Sequence, residues 1–192
     1  MAQTSKRRIR PFEAWRAMRI LLRDKEDTAQ VFRFVQALTG DSQRMGFERF
    51  KQSETGQRIL HEQRRLLDVL SDRAGLAKCP EGSLGRAYLD FVYGQNLSAD
   101  GLVAASKEGS SRKFESADEE LYANRLRDMH DLWHVTTGYG RDGLGELCLL
   151  AFSYAQTRNR GIGAIVLVGI AKVRREAPQL PIIRATLEGY RN

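Results

Sequence analysis

The sequence predicts a single all-α domain of about eight to ten helices. Three observations carry that expectation. Strand-type alternation is nearly missing over 192 residues, while apolar residues recur at i, i+3 and i+4. Ser and Asp stand where helices should begin, and glycines where several should end. The chain is 42% hydrophobic and long enough to bury a core without staples. It holds no internal repeat, low-complexity run or linker of domain-boundary type. Two units are expected: a basic N-terminal leader over residues 1–10, and one all-α domain with a metal site over 11–192.

The elements follow in order. The start of the domain reads as an amphipathic helix. At about 100° per residue, Arg16, Arg19 and Arg23 share one face. Ala14, Trp15, Met18, Leu21 and Leu22 lie opposite, and Phe12 falls among the arginines. The expectation is a first core helix with Trp15 turned inward. The same pattern also suits an interfacial helix on an anionic membrane. Asp27 is placed to cap the next helix, with Val31, Phe34, Val35 and Leu38 as its stripe and Gly40 as its stop. Ile59, Leu60, Leu67 and Leu70 predict one helix over 57–70. The run Cys79-Pro80-Glu81-Gly82 turns the chain, and Ser83 caps a helix carrying Ala87, Tyr88, Phe91 and Val92.

Ser98 opens a short helical turn near Leu102, and the polar stretch 107–114 predicts a mobile loop. Ser116 and Glu119 form a capping box for a long helix to about Thr137. Four glycines within 138–145 separate it from helices at about 146–157, 161–174 and 180–189. The segment from Gly161 to Ala171 is apolar nearly all round. It is expected to be a central core helix, with a lipid-tail channel or a homodimer face as alternatives.

Charge narrows the function. The formal charge is +7, from 31 Lys plus Arg and 24 Asp plus Glu. Residues 1–25 hold eight basic and two acidic side chains, net +6, so the remaining 23 basic and 22 acidic give +1. A nearly neutral body argues against a nucleic-acid partner. Cys79 and Cys148 cannot build a disulfide framework and read as reduced thiols. The longest apolar run, Ile162 to Ala171, is too short to span a bilayer. The basic start runs straight into helix pattern, unlike a signal peptide and short for a transit peptide.

The chemistry concentrates in His130-Asp131-Leu132-Trp133-His134. His130 and His134 stand one helical turn apart on one face, with Asp131 close to both. Leu126, Met129, Trp133 and Thr137 share their stripe, so the imidazoles face the buried side. Burying them without partners costs several kcal/mol. A divalent metal is one partner that accepts imidazole and carboxylate ligands. Glu146, twelve residues past His134 and across the glycine-rich connection, is a fourth ligand if the next helix folds back. The alternatives are hydrogen-bonded core histidines, with Asp131 only orienting one of them. Arg127, Asp128 and Tyr139 are candidates for groups around the ligands or for substrate contacts. Gly138 to Gly143 satisfies G-x-G-x-x-G, but a helix precedes it, so the glycines read as a turn.

The stretches Arg127 to His134, Thr137 to Gly140, Leu144-Gly145-Glu146 and Ala151 to Gln156 resemble the coenzyme Q biosynthesis protein 4 family. A second block, Pro80 to Tyr88, is similar to that family's central segment. The resemblance covers roughly residues 28–190. It implies an all-α protein of ubiquinone synthesis with His130, Asp131, His134 and Glu146 as metal ligands. Zinc is the metal it implies; iron is the alternative, because two histidines and a carboxylate are also the set used by non-haem iron oxygenases. The implied substrate is a polyprenylated hydroxybenzoate-type precursor at a membrane surface, whose C1 carboxyl is replaced by hydroxyl in an oxidative decarboxylation.

The implied partners are that precursor, an anionic membrane and other ubiquinone biosynthesis proteins. The expected location is the cytoplasmic face of a bacterial inner membrane, or the mitochondrial matrix side in a eukaryote. Two other readings stay open. One is a non-catalytic lipid-binding scaffold for the biosynthetic complex. The other is an HD-type phosphohydrolase recruiting His61 and Asp142.

Overall fold

The structure, a computed structural model, describes residues 7–24, 27–94, 104, 106–107 and 114–192. The turn expected near Leu102 lies outside the described residues, as does most of the polar stretch 107–114. Eleven helices are described: α1 (Pro11–Leu21), α2 (Thr28–Thr39), α3 (Ser42–Gln52), α4 (Glu54–Glu62), α5 (Leu66–Ser71), α6 (Arg73–Ala77), α7 (Leu84–Gly94), α8 (Ala117–Thr137), α9 (Gly143–Thr157), α10 (Arg160–Glu176) and α11 (Ile182–Arg191). No strand occurs among the described residues. The all-α expectation holds, with α5 and α6 each shorter than two turns.

Local chemistry places most helix starts. Asp27 accepts the Gln30 amide and opens α2, and Gly40 ends it with a positive φ of 50°. Ser116 accepts the Glu119 amide at 3.1 Å and opens α8. The reciprocal half of that capping box is displaced by one residue. Glu119 accepts the Glu115 amide instead and also holds Arg7. Asn159 caps α10 through the Gly161 and Ile162 amides.

One expectation fails. The helix expected over 57–70 breaks into α4 and α5 at Gln63, whose φ is 50°. The Gln63 side chain donates to the Leu60 carbonyl and to Asp118 at the start of α8. Those two bonds hold a left-handed turn that glutamine rarely adopts unaided.

Two groups of helices meet along α8. Ala14 and Ala17 of α1 pack on Phe34 and Ala37 of α2, with Ile165 of α10 beneath. Leu147 and Ala151 of α9, Val166 of α10 and Ile182 of α11 extend that core. On the other side, Leu70, Leu76, Tyr88 and Val92 pack against Leu132 and Val135 of α8. Helix α10 is central but not buried all round, because Leu167 faces solvent at 69% exposure. Its Gly161 lies against the Val35 carbonyl, so closely that a Cβ there would come within 2.0 Å of the oxygen.

The first helix corrects another expectation. Trp15 faces outward, 51% exposed, and the face turned to the core is the small one of Ala14 and Ala17 with Met18 and Leu21. Part of the basic leader is also built into the body. The Arg7 amide donates to Asp41, its guanidinium holds Glu119, and the Arg10 amide donates to the Ala37 carbonyl.

Candidate metal centre

The C-terminal turn of α8 carries the histidines, and the first turn of α9 returns Glu146 to them. Gly138 makes this reversal possible. It closes α8 in a left-handed conformation, φ 71°, with its amide on the His134 carbonyl. Asp142 then caps α9 by accepting the Leu144 and Gly145 amides, which hold its carboxyl below the usual range. Gly145 lies against the Gly140 backbone, where a Cβ would meet the carbonyl oxygen at 2.1 Å. The G-x-G-x-x-G run is therefore a helix-to-helix turn.

His134 is fully buried, and its Nδ1 lies 2.8 Å from the Tyr139 carbonyl oxygen. A carbonyl only accepts, so Nδ1 carries a proton, and in the neutral ring Nε2 presents a lone pair. His130 is set the same way: its Nδ1 lies 3.1 Å from Asp131 Oδ1, again an acceptor. Both Nε2 atoms then face Glu146. His134 Nε2 is 3.3 Å from Oε1, and His130 Nε2 is 3.7 Å from Oε2. The buried His134 Nε2 has no hydrogen-bond partner. The three ligand atoms lie within 4.8 Å of one another.

Two nitrogen lone pairs aimed at one carboxylate repel unless a cation or proton sits among them. Ligands around a tetrahedral zinc ion stand about 3.4 Å apart, close to the two separations to Glu146. The residues therefore fit a divalent metal. Burial is the largest influence on His134 and lowers its pKa. Glu146, the Tyr139 carbonyl and the charge of Asp131 outweigh it and leave the value above normal.

The sequence-derived residues separate here. His130, His134 and Glu146 converge; Asp131 lies outside that cluster and orients His130. Arg127 and Asp128 point elsewhere, forming an ion pair of 2.6 Å beside a small cavity lined by Leu66, Leu67 and Asn124. Burial raises the Asp128 carboxyl, although Arg127 opposes the shift. Tyr139 contributes through its backbone carbonyl rather than its ring. Among the described residues, the cluster that could hold a metal is His130, His134 and Glu146, without His61 or Asp142, so the HD-phosphohydrolase set is not assembled.

One contact was missed from sequence. Phe91 of α7 stacks on the His134 ring, with centroids 5.4 Å apart and planes 24° from parallel. Phe91 stood in the α7 stripe as an ordinary core residue, so only packing could reveal it.

The sequence profile described as Coenzyme Q (ubiquinone) biosynthesis protein Coq4 matches residues 26–180. The chain is 30% identical over 142 residues to the mitochondrial ubiquinone biosynthesis protein COQ4 homolog of Rattus norvegicus, covering 73% of this chain and 50% of the rat protein. It is 31% identical over 111 residues to the Homo sapiens homolog, covering 57% and 39%. The chain thus spans half or less of the length of these relatives. A crystal structure from Nostoc punctiforme PCC 73102, of a protein assigned to ubiquinone biosynthesis, shares the fold. Its TM-score is 0.62 at 23% identity, covering 96% of this chain and 84% of that one. Because the profile match runs from α2 into the segment after α10 and takes in both the histidine helix and the glutamate helix, the chain belongs to the coenzyme Q (ubiquinone) biosynthesis protein Coq4 family.

Proposed function

We propose that this chain acts in ubiquinone biosynthesis as a metal-dependent enzyme on a polyprenylated hydroxybenzoate-type precursor, replacing the C1 carboxyl of the ring by hydroxyl. The observation that supports this reading best is the orphaned His134 Nε2, buried and aimed at Glu146. His130, His134 and Glu146 would hold the ion, zinc from the family likeness or iron in its place. A bound divalent ion would supply a Lewis acid that orients and polarises the ring carboxyl.

The chain's own residues prepare that site. The Tyr139 carbonyl and Asp131 fix each histidine in the tautomer that turns Nε2 inward. Phe91 covers the His134 ring and keeps water from it. His130 and Glu146 stay about one-third exposed, which leaves one side open to a ring carboxylate. Among the described residues, no helix is long and apolar enough to cross a membrane. A peripheral place on an anionic membrane, beside other proteins of the pathway, suits a lipophilic substrate.

The test measures bound metal, then supplies a prenylated hydroxybenzoate with O₂. Loss of the carboxyl with gain of oxygen is expected, abolished in His134→Ala and Glu146→Ala. Asp131→Asn should weaken metal affinity about 10- to 100-fold without erasing it. If the His134 and Glu146 variants lose metal yet still restore quinone synthesis in a deficient strain, the chain is a scaffold. Wild-type protein that takes up no stoichiometric metal overturns the ligand set.

A further inference from the structure

The outward face of α1 is unusual for a helix packed on its own domain. Phe12 is 67% exposed, Trp15 51% and Ile20 44%. At 100° per residue these three share an arc with Arg16, Arg19 and Arg23, opposite the buried Ala14 and Ala17. Phe12 and Trp15 stack at 5.8 Å between centroids. Arg16 lies over the Phe12 ring at 5.9 Å and Arg19 over the Trp15 ring at 4.8 Å. The face therefore combines apolar area with guanidinium groups. The acid within α1, Glu13, sits at the edge of this face and is paired with Arg10 at 2.8 Å. Among the described residues, Arg16, Arg19 and Arg23 have no carboxylate paired with them.

We propose that this face of α1 is a docking surface for an anionic lipid bilayer, with Phe12 and Trp15 as the inserted wedge and Arg16, Arg19 and Arg23 as the headgroup contacts. The proposal gives a location to the membrane association in the reading above and rests on it. Aromatic rings partner with both the interfacial region and cations, and arginines bind phosphate in two-pronged fashion. A second copy of the chain fits poorly. A two-fold contact centred on this face would gather the three arginines of each copy into one interface with no acid on the face to meet them. Nucleic acid also fits poorly, because each ring already carries a stacked ring and a guanidinium, which leaves little face for a base. At the end of α1, Leu22 meets Val168 and Ala171 of α10 in a groove of about 530 Å³, whose rim carries Arg175 and the Lys172–Glu176 ion pair of 3.2 Å. The apolar character thus continues beyond the helix itself.

The test is sedimentation of the full chain with vesicles of phosphatidylglycerol and phosphatidylcholine, against phosphatidylcholine alone. Wild type should prefer the anionic vesicles, and added salt should weaken binding. Arg16→Gln/Arg19→Gln/Arg23→Gln should bind about a hundredfold more weakly. Phe12→Ser/Trp15→Ser should lose binding even at low salt. Both should keep the wild-type melting temperature and metal content, because these side chains lie outside the core and far from His134. A blue shift of tryptophan emission on adding anionic vesicles should vanish in Trp15→Phe.

Unchanged vesicle binding in both multiple variants overturns the proposal. So does loss of duplex-DNA binding or of self-association in those variants while vesicle binding persists. Wild type that ignores anionic vesicles removes the membrane part of the functional reading as well, whereas intact metal uptake in the same sample leaves the metal centre standing.

Discussion

His134 is held from one side by a carbonyl and confronted on the other by a carboxylate. That arrangement makes its titration informative. Burial pulls its pKa down, but Glu146 and the other neighbours raise it above the ordinary value near 6.5. A raised value in the fold means that the metal-free protein gains stability from the protonated ring. The gain is complete below the unfolded value and is lost as pH rises through the folded one. A metal ion needs the neutral ring, so its affinity should rise over that same interval. Calorimetry should then find that the melting temperature of metal-free protein falls as pH rises from about 6.5, while the increment on adding zinc grows. An increment independent of pH across that range would mean that His134 binds no metal.

Helices in this molecule approach one another through small residues. Gly161 allows α10 to rest on α2, because its Cβ position is occupied by the Val35 carbonyl. Ala14 and Ala17 do the same for α1, beside a fully buried Ala37. Gly161→Ala should destabilise the protein by roughly 3 kcal/mol, the upper end of overpacking costs. Gly138→Ala is a useful contrast. Its surroundings are open, with nothing within 4 Å, but its φ is 71°. Only backbone strain of about 1 kcal/mol is expected there. Denaturant melts of the two variants check the ranking. Equal losses would show that the close contact with α2 is not a constraint on α10.

Across the whole molecule, Arg7 ties the N-terminal segment to the start of α8. Its guanidinium meets Glu119, whose side chain is only 3% exposed, and also reaches Glu115. The contact with Glu119 and its charge outweigh burial and raise the Arg7 pKa. Removing Arg7 takes a guanidinium from a buried carboxylate that keeps the Glu115 amide. Arg7→Ala should therefore cost about 3 kcal/mol. Arg7→Met combined with Glu119→Leu should recover most of that loss, since no charge then remains buried. If the double variant is no more stable than Arg7→Ala, the segment contributes through its backbone bonds to Asp41 and Ala37 instead.

Much of this was legible in the order of residues. Periodicity 3.6 and the caps Asp27, Ser83, Ser116 and the glycines Gly40 and Gly138 determined an all-α chain and most helix boundaries, because these signals act within a few residues. The spacing of His130, His134 and Glu146 likewise determined the metal-site candidates, since one helix and one turn bring them together. What lay beyond sequence depended on contacts between distant segments. The left-handed turn at Gln63 is held in part by Asp118, 55 residues away, which receives its side chain. Asp131 and Glu146 are both acids near the histidines, and only packing assigned one to orient and the other to converge. The side of α1 that faces the core was ambiguous, because its apolar arc is wide and includes both Trp15 and Ala14. Tertiary packing decided it: close approach of α1 to α2 selects the small side chains, and the indole is turned out to solvent.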